Sequence, residues 1–342
     1  MKLPPLLNSR NQSLTTAQIM QLVLVAALPG ILAMTLFFGI GILVNIVWLM
    51  LSAIAMEASV LKLRYKPVLN SLGDYSAVVT ALLLAISLPP ASPWWLGLTG
   101  IFFAIVVAKH LYGGLGYNPF NPAMIGYAVL LISFPVEMTR WLLPSGVITQ
   151  LPDFSSVLHS FLGQSTSSMD AVVGATALDQ FKLERGSQTI SEFWSGNPLY
   201  GTLSGLGWEW VNAAFLAGGL YMLYRKIITW HIPASVLGTM ALMALLFYDV
   251  GSSASHGSPF FHLFGGAAML GAFFIATDPV SGPATNAGKL YYGALIGLLI
   301  YIIRIWGSYP DGVAFAVLLA NFSAPGIDYF IRVSDQSSSH AE

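Results

Sequence analysis

The sequence predicts an all-α polytopic membrane protein of about ten transmembrane helices, arranged as two inverted five-helix repeats. Of the 342 residues, 56% are hydrophobic and 8% are charged, whereas charged residues make up about 25% of an ordinary soluble domain. The apolar residues fall in long blocks separated by polar connections, which is the pattern of membrane-spanning helices. In addition, segments of the second half of the chain repeat segments of the first half.

Five predicted spans come before the only long polar segment of the chain, about residues 137–207. In chain order they are Ile19–Phe38, Gly41–Leu61, Tyr75–Leu88, Trp94–Ala108 and Ala123–Val136. Five more spans follow that segment, at Trp208–Tyr224, Ile232–Tyr248, His262–Thr277, Leu290–Ile303 and Gly312–Phe330. Each is a predominantly apolar run, and the longest ones have the length that the hydrocarbon core requires.

The distribution of basic residues predicts the orientation of the chain. If the N-terminus is cytoplasmic, most of the 14 Lys and Arg residues lie on the cytoplasmic side: Lys2, Arg10, Lys62, Arg64, Lys66, Lys109, Arg225, Lys226, Lys289 and Arg332. The others are Arg140, Lys182, Arg185 and Arg304. Because basic residues favour cytoplasmic connections, we expect both termini inside and residues 137–207 on the outer side.

Two stretches of the first half recur in the second half at nearly the same offset. Gly126–Leu131 matches Ala314–Leu319, and Ala85–Pro89 matches Ile275–Pro279. An odd number of spans in each copy forces the second copy into inverted topology. The predicted domains are therefore a first repeat (residues 1–136), the polar loop (137–207), a second repeat (208–332) and a cytoplasmic tail (333–342).

Prolines interrupt or end the predicted spans at corresponding places in the two halves. They occur in Pro89-Pro90, Asn118–Pro122, Asp278-Pro279 and Tyr309–Asp311. A helix break inside the membrane is tolerated where the freed backbone groups line a cavity or pack in protein. Such breaks would indicate a central site between the repeats. The alternative is that these prolines only end helices at the membrane surface.

A long string in the first half resembles a known family. It runs from Tyr112 to Tyr127 and reads Tyr-Gly-Gly-Leu-Gly-Tyr-Asn-Pro-Phe-Asn-Pro-Ala-Met-Ile-Gly-Tyr. Together with Thr277–Val280 and Tyr309–Ala314, it resembles the NqrB/RnfD superfamily. That superfamily comprises membrane subunits of the Rnf electron-transport complex (SoxR-reducing complex) and of the sodium-pumping NADH:quinone reductase, and the similarity is to the RnfD branch. The resemblance extends from the first span to about Arg332.

Members of that family carry FMN bound covalently, through its phosphate, to a threonine hydroxyl. The attachment pattern is Asp, two residues, Ser or Thr, Gly, Ala, then Ser or Thr. Asp170, Gly174, Ala175 and Thr176 fit this pattern, and Val173 stands where Ser or Thr is usual. The resemblance therefore implies that Thr176 is the flavinylated residue. It also implies a second, noncovalent flavin (riboflavin), to which the sequence assigns no residues.

The residues of the motif are compatible with such an attachment. Gly174-Ala175 predicts a small, open turn that presents the hydroxyl of Thr176 without steric bulk. A phosphodiester formed there would be negatively charged, and Lys182 and Arg185 are candidate partners by their position in the sequence. Taken without the resemblance, an ordinary Ser/Thr-rich loop is the favoured alternative, since such residues are common in loops.

Other polar residues carry further predictions. The six histidines lack the spacing of metal or haem ligands, so we predict no metal site and no catalytic residue. Glu57 is the one acidic residue well inside an early span; we favour an ion pair with Lys62 or Arg64 over a functional intramembrane carboxylate.

Asp278 and Asp311 are candidates for caps of half-helices. Several aromatic residues near span ends are predicted to form interfacial belts: Trp94, Trp95, Trp208 and Trp210.

The resemblance implies a membrane subunit of an ion-translocating ferredoxin:NAD oxidoreductase in the bacterial inner membrane, with residues 137–207 in the periplasm. It would relay electrons through FMN at Thr176 and share in coupled cation transport. The chain has no cysteine and no nicotinamide-binding fingerprint, so it would need partner subunits that hold iron–sulfur clusters and flavin and that bind the nucleotide. Membrane lipid is the other expected partner; nucleic acid is not expected. Two alternatives remain open: a small-solute transporter or channel without a redox role, and a structural scaffold.

Overall fold

The computed structural model of the chain describes residues 14–164, 167–184, 186, 188–249, 252–309 and 311–339. Within these residues the chain is mostly helical. The residues Lys2, Arg10, Arg185, Pro310 and His340, which enter the predictions above, lie outside the described residues.

The helices of the first half lie where apolar spans are predicted. They are α1 (Thr16–Phe38), α2 (Gly41–Leu63), the short α3 (Val68–Leu72), α4 (Ser76–Ala85), α5 (Trp94–Ile101) and α6 (Pro122–Ser133). A π-helical segment, Phe102–His110, continues α5. Helix α6 has proline at its first position and an N-cap at Asn121, whose side chain accepts a hydrogen bond from the backbone N–H of Met124.

A folded segment of short helices and strands lies between the two halves, and we call residues 137–207 the loop domain. Its elements, with α7 starting just before it, are α7 (Pro135–Thr139), β1 (Trp141–Leu142), α8 (Phe154–Phe161), α9 (Ser167–Asp170), β2 (Val173–Gly174), α10 (Ala177–Leu183) and α11 (Ile190–Ser195). Its buried apolar residues pack on Phe261 of the second half. The loop domain is therefore attached to the helices and has regular secondary structure, which the polar composition did not predict.

The second half consists of α12 (Trp208–Tyr224), α13 (His231–Leu246), α14 (Pro259–Phe264), α15 (Ala268–Leu270), a π-helical segment (Gly271–Ile275), α16 (Asn286–Trp306) and α17 (Val313–Ser339). The predicted span His262–Thr277 is thus wrong as one continuous helix, because residues 265–267 are unwound between α14 and α15. Gly266 has φ +56° there, a left-handed conformation that glycine adopts without strain. A side chain at this position would collide with Asp311 and Leu178.

Four described helices, α1, α2, α16 and α17, are long and apolar enough to cross a membrane by themselves. Shorter apolar helices lie at Ser76–Ala85, Trp94–His110, Pro122–Ser133 and His231–Leu246. Helix α4 is shorter than the predicted span Tyr75–Leu88, and Pro89 follows its end. These features confirm the prediction of a helical, polytopic membrane protein.

The two halves contact each other along α1 and α12 and along α6 and α17. Small residues allow the closest approach: Gly218 of α12 lies against the carbonyl oxygen of Ala26, and Gly30 of α1 lies against the ring of Phe215. Transmembrane helices commonly use small residues in this way, because they let two backbones come together. The core of the protein therefore runs across the junction between the halves.

Candidate functional site

A short antiparallel pairing places the predicted attachment motif. Strand β1 pairs with β2 so that Trp141 lies opposite Gly174 and Leu142 lies opposite Val173. Gly174 is therefore a strand residue, and the prediction that Gly174-Ala175 forms an open turn is wrong. A Cβ atom at Gly174 would lie 2.9 Å from Cδ2 of Leu143. A side chain at this position would therefore require the Leu143 side chain to move.

Asp170 and Val173 are the first residues of the motif. Asp170 is exposed and forms an ion pair with Arg140, which follows α7 in the chain. Val173, at the position where the family pattern has Ser or Thr, is half-buried and packs on the apolar cluster of Leu142, Val157 and Met169. A hydrophobic residue fits this position, because its partner strand residue Leu142 is buried.

Thr176 begins α10 and forms a capping box with Asp179. Its Oγ1 accepts a hydrogen bond from the backbone N–H of Asp179 (3.3 Å), and its own N–H donates to Asp179 Oδ2 (3.1 Å). The Thr176 hydroxyl also donates to Oδ2 of Asp179, at 2.6 Å. The box satisfies two of the helix's first N–H groups. Its result is that a buried carboxylate lies directly beside the Thr176 hydroxyl.

A cavity, part of it open to the exterior, lies beside Thr176 between the loop domain and the helices. Both halves line it: Met34, Met124, Tyr127 and Leu131 from α1 and α6, and Trp208, Val211, Asn212, Phe215, Leu270, Asp311 and Ala314 from the second half. The loop domain contributes Thr176–Asp179 and, from its two ends, Met138, Thr139, Trp141, Ser204 and Gly205. The predicted hydroxyl therefore faces an internal space shared by both halves.

Polar side chains hold the broken helix that borders this cavity. Asn212 Nδ2 donates to the carbonyl oxygens of Phe264 (2.9 Å) and Gly266 (2.8 Å), and its Oδ1 accepts from the N–H of Met269. Asp311 Oδ2 accepts from the N–H of Ala267 at 2.7 Å. Backbone groups freed by a helix break inside a membrane need such partners. Asp311 thus caps the half-helix that starts at Ala268, as predicted, but it does so from a different segment of the chain.

Arg304 provides further hydrogen bonds to the broken helix and to Asp311. The buried guanidinium group donates to Asp311 Oδ1, to the carbonyl oxygen of His262 (2.7 Å) and to that of Gly265 (3.1 Å). It therefore joins α16 to the end of α14, where the last carbonyl groups of a helix carry partial negative charge. The other predicted cap, Asp278, accepts from the N–H of Val280 and from the hydroxyl of Ser281, so it stabilises the turn after the second π-helical segment.

Burial changes the pKa values of two ionisable side chains in the loop domain. Burial raises the pKa of Asp179; hydrogen bonds from Thr176 oppose the shift, and the nearby charge of Asp311 adds to it. Burial also lowers the pKa of Lys182. The ammonium group of Lys182 donates to the carbonyl oxygens of Tyr309 (2.9 Å) and Ile303 (3.2 Å), which attaches α10 to the helices. In this arrangement Lys182 anchors the loop domain.

Aromatic residues form one wall of the cavity. Trp208 packs against Trp141, with ring centroids 5.0 Å apart, and against Phe38, at 4.8 Å. Both tryptophans line the cavity beside Thr176. Trp208 therefore lines the cavity, whereas Trp210 is 60% exposed; the interfacial position of both residues stays a prediction. The sequence contained one signal for this role: Trp208 starts a helix directly after the loop domain.

Glu57 belongs to a second polar cluster, away from the cavity. Its carboxylate accepts hydrogen bonds from Lys109 Nζ at 2.7 and 2.8 Å and lies 3.6 Å from His110 Nε2. The favoured prediction of Lys62 or Arg64 as its partner is wrong, because Arg64 instead donates to the carbonyl oxygen of His110. The π-helical segment that ends at His110 brings Lys109 to this position. Among the described residues, no group of three His, Asp or Glu side chains could hold a metal ion.

These features define a polytopic helical membrane protein whose halves enclose a cavity that is covered by a separate domain carrying a threonine hydroxyl. The profile of the NQR2, RnfD, RnfE family matches residues 7–336. The chain therefore belongs to that family.

Curated relatives match the chain over almost its whole length. Each of them is named as the D component of an ion-translocating oxidoreductase complex. The relative from Pseudomonas aeruginosa strain UCBPP-PA14 is 56% identical over 93% of this chain and 90% of its own length. The one from Cellvibrio japonicus is 54% identical over 92% of this chain and 89% of its own length. That of Salmonella paratyphi B is 52% identical over 93% of both chains.

Proposed function

We propose that this chain is the RnfD-type membrane subunit of an ion-translocating ferredoxin:NAD oxidoreductase complex. The names of its relatives support this directly, since they describe the corresponding component of an ion-translocating oxidoreductase complex. This membrane subunit is not catalytic alone, because the sequence contains neither cysteine nor a nicotinamide-binding fingerprint. Its partners are the subunits that hold the iron–sulfur clusters and flavins, together with membrane lipid.

The proposed architecture is ten spans in two inverted five-helix repeats, with residues 1–136 and 208–332 as the repeats. The pattern of helix packing supports it. In the first half α2 packs on α4 and α5, and in the second half α13 packs correspondingly on α14 and α16. Across the halves, the first helices of the two repeats pack together, as do the last. The positive-inside rule supports cytoplasmic termini in the bacterial inner membrane and a periplasmic loop domain.

The proposed cofactor is FMN, attached through its phosphate to Thr176. The observation that carries this proposal is that the Thr176 hydroxyl lies in the wall of the cavity between the halves. The chemistry of the lining suits a flavin, because it is largely apolar, with four aromatic residues and a few polar groups. Thr176 would hold the phosphate, and Tyr127, Trp141 and Trp208 would enclose the ring. A flavin exchanges electrons singly or in pairs.

The residues of the chain have distinct tasks in this proposal. Lys182 and the Arg304–Asp311 pair hold the loop domain and the broken helix in place around the cavity. Trp141, Trp208 and Phe215 supply apolar walls for the bound ring. A second, noncovalent riboflavin is also proposed from the family resemblance, and no residue is assigned to it.

Thr176→Ala is expected to abolish covalent flavin, because it removes the acceptor oxygen. The protein is expressed with the attaching enzyme, separated on a denaturing gel, and examined for in-gel fluorescence and for the mass of the Thr176 peptide. Thr176→Ser should retain the flavin. The matched control is Thr189→Ala: Thr189 forms the same capping box on α11 with Glu192 but lies outside the cavity. This control should remain fluorescent, although it loses a cap of about 1 kcal/mol.

The same experiment addresses the alternatives of a solute transporter or a scaffold. A wild-type band that is non-fluorescent and of unmodified mass would contradict the flavin proposal. The cavity would then favour a small solute as its ligand. A scaffold role would instead be indicated if Thr176→Ala left the electron-transfer activity of the complex intact.

A further inference from the structure

The position of the Asp179 carboxylate beside the Thr176 hydroxyl has a chemical consequence. The hydroxyl donates its proton to Asp179 Oδ2 at 2.6 Å, while the N–H of Asp179 donates to the same hydroxyl oxygen at 3.3 Å. A threonine hydroxyl is a weak nucleophile until a neighbouring base accepts its proton. A base must lie within about 2.6–3.2 Å of the proton-bearing atom to do this. Asp179 meets that requirement without any movement.

We propose that Asp179 is the general base for flavin attachment, so that this chain supplies part of the chemistry of its own modification. The inference rests on the proposed function, because it requires that Thr176 becomes flavinylated. Asp179 lies three residues after Thr176 in the same capping box. Their contact is therefore local and does not depend on how a transferase approaches the loop domain.

The step is a transfer of flavin phosphate from a flavin dinucleotide. Thr176 Oγ1 forms a new bond to the flavin-side phosphorus, and the bond from that phosphorus to the bridging oxygen breaks. The nucleoside monophosphate leaves with the electron pair of that bond. The proton of the Thr176 hydroxyl passes to Asp179 Oδ2. No electron is gained or lost, and the product is a phosphodiester between threonine and the flavin.

The surroundings of Asp179 suit it to keep this proton. A carboxylate beside the new phosphodiester would repel it, whereas a neutral carboxyl group can donate a hydrogen bond to a phosphate oxygen. Asp179 is 9% exposed, and burial raises its pKa. Asp311, from the segment before α17, faces the same cavity and adds to the shift, while Lys182 on α10 opposes it. Tyr127 of α6 also lines this space.

A second capping box in the same domain shows what is specific to Asp179. Thr189 donates to Glu192 Oε2 at 2.7 Å and accepts from the N–H of Glu192 at 3.3 Å, which is nearly the same geometry. Both residues of that pair are solvent-accessible and neither lines the cavity. Capping alone therefore does not distinguish Thr176. The distinguishing features of Asp179 are its burial and its position on the cavity wall.

The test is the rate of flavin attachment to the purified full-length chain from a host without the attaching enzyme. That enzyme and flavin adenine dinucleotide are then added, and in-gel fluorescence and intact mass are followed with time. Asp179→Asn keeps an acceptor oxygen for the capping bonds but is a very poor proton acceptor. We expect it to slow attachment by about 100-fold, the lower end of general-base contributions. Glu192→Gln, the matched control, should attach flavin at the wild-type rate.

The pH dependence of the attachment rate is a second measurement. The ratio of the wild-type rate to the Asp179→Asn rate cancels any titration of the added enzyme. It should rise with pH through the titration of the Asp179 carboxyl, because the ionised form is the base. Asp179→Glu, which retains a carboxylate, should recover at least a tenth of the wild-type rate. Limited proteolysis of the loop domain shows whether each variant is folded. If Asp179→Asn does not fold, the attachment rate of Asp179→Glu decides the outcome.

The outcomes separate this inference from the proposal on which it rests. Attachment to Asp179→Asn at the wild-type rate, or a ratio that does not change with pH, would overturn the role of Asp179 and leave Thr176 as the acceptor. Loss of attachment in a folded Asp179→Glu variant would overturn it as well. A wild-type chain that gains neither mass nor fluorescence would instead refute the flavin proposal itself.

Discussion

Gly218→Val is expected to prevent stable packing of the two halves. Gly218 is buried in α12, and a Cβ atom there would overlap the carbonyl oxygen of Ala26 on α1 and lie 3.1 Å from the ring of Phe274. The obstacle on α1 is backbone, so no change of rotamer relieves it. Overpacking a core costs about 1–3 kcal/mol when side chains can adjust, and we expect a larger loss here. The measurement is the yield of monodisperse protein in detergent and its thermal unfolding.

The control for this prediction is Gly238→Val. Gly238 lies on the exposed side of α13, and a Cβ atom there would have no neighbour within 4 Å. The substitution changes composition and helix propensity in the same way but creates no overlap. This variant should be obtained in wild-type yield. Equal behaviour of the two variants would show that α1 and α12 do not approach each other as described.

Glu57→Met is expected to destabilise the protein by about 3–5 kcal/mol, because it leaves the ammonium group of Lys109 buried without its counterion. The side chains of Glu57 and Lys109 are only 2% and 3% exposed. Lys109→Met should cost a similar amount by the same reasoning. The double variant Glu57→Met/Lys109→Met should recover most of the loss, since a well-packed apolar pair often replaces a buried ion pair without penalty. The measurement is unfolding in mixed detergent micelles, as a double-mutant cycle.

Lys62→Met is the matched control for this cycle. Lys62 is the nearest basic residue to Glu57 along the chain, but it is exposed and Glu57 pairs with Lys109. Its replacement should change the free energy of unfolding by less than about 0.5 kcal/mol, as is usual for exposed positions. A large loss in Lys62→Met together with a small one in Lys109→Met would mean that the sequence-based partner was correct after all.

Most of the architecture follows from properties that are local in the sequence. Long apolar blocks have to become membrane helices, because the hydrocarbon core offers no hydrogen-bond partners to an extended backbone. Helix positions and proline-marked breaks could therefore be predicted, but the break at residues 265–267 could not. The unwound residues 265–267 depend on Asn212, Arg304 and Asp311, which are far from them in the chain. Their partners exist only once α12 and α16 are packed.

The candidate site likewise contains residues that could be predicted from the sequence and residues that only the packing of helices places there. Thr176 could be proposed from the sequence because the attachment pattern of the family is a short linear motif. Asp179 was not assigned to the site, although it is only three residues away in the chain. Trp208 and Asp311 could not be assigned to the site, because an aromatic residue or a carboxylate at a helix end has several common roles. Their presence in one cavity depends on how helices from both halves pack together.

The sequence by itself therefore determined the membrane class and the positions of the long helices, and it pointed to Thr176 as the candidate acceptor, since each depends on a short run of residues. The tertiary structure alone decided that Glu57 pairs with Lys109 across 52 positions, that the loop domain packs on the helices, and that Thr176 faces a shared cavity. The physical reason is that burial in the membrane is fixed by local composition. The choice of partner for a buried charge or hydroxyl depends instead on which distant segments pack beside it.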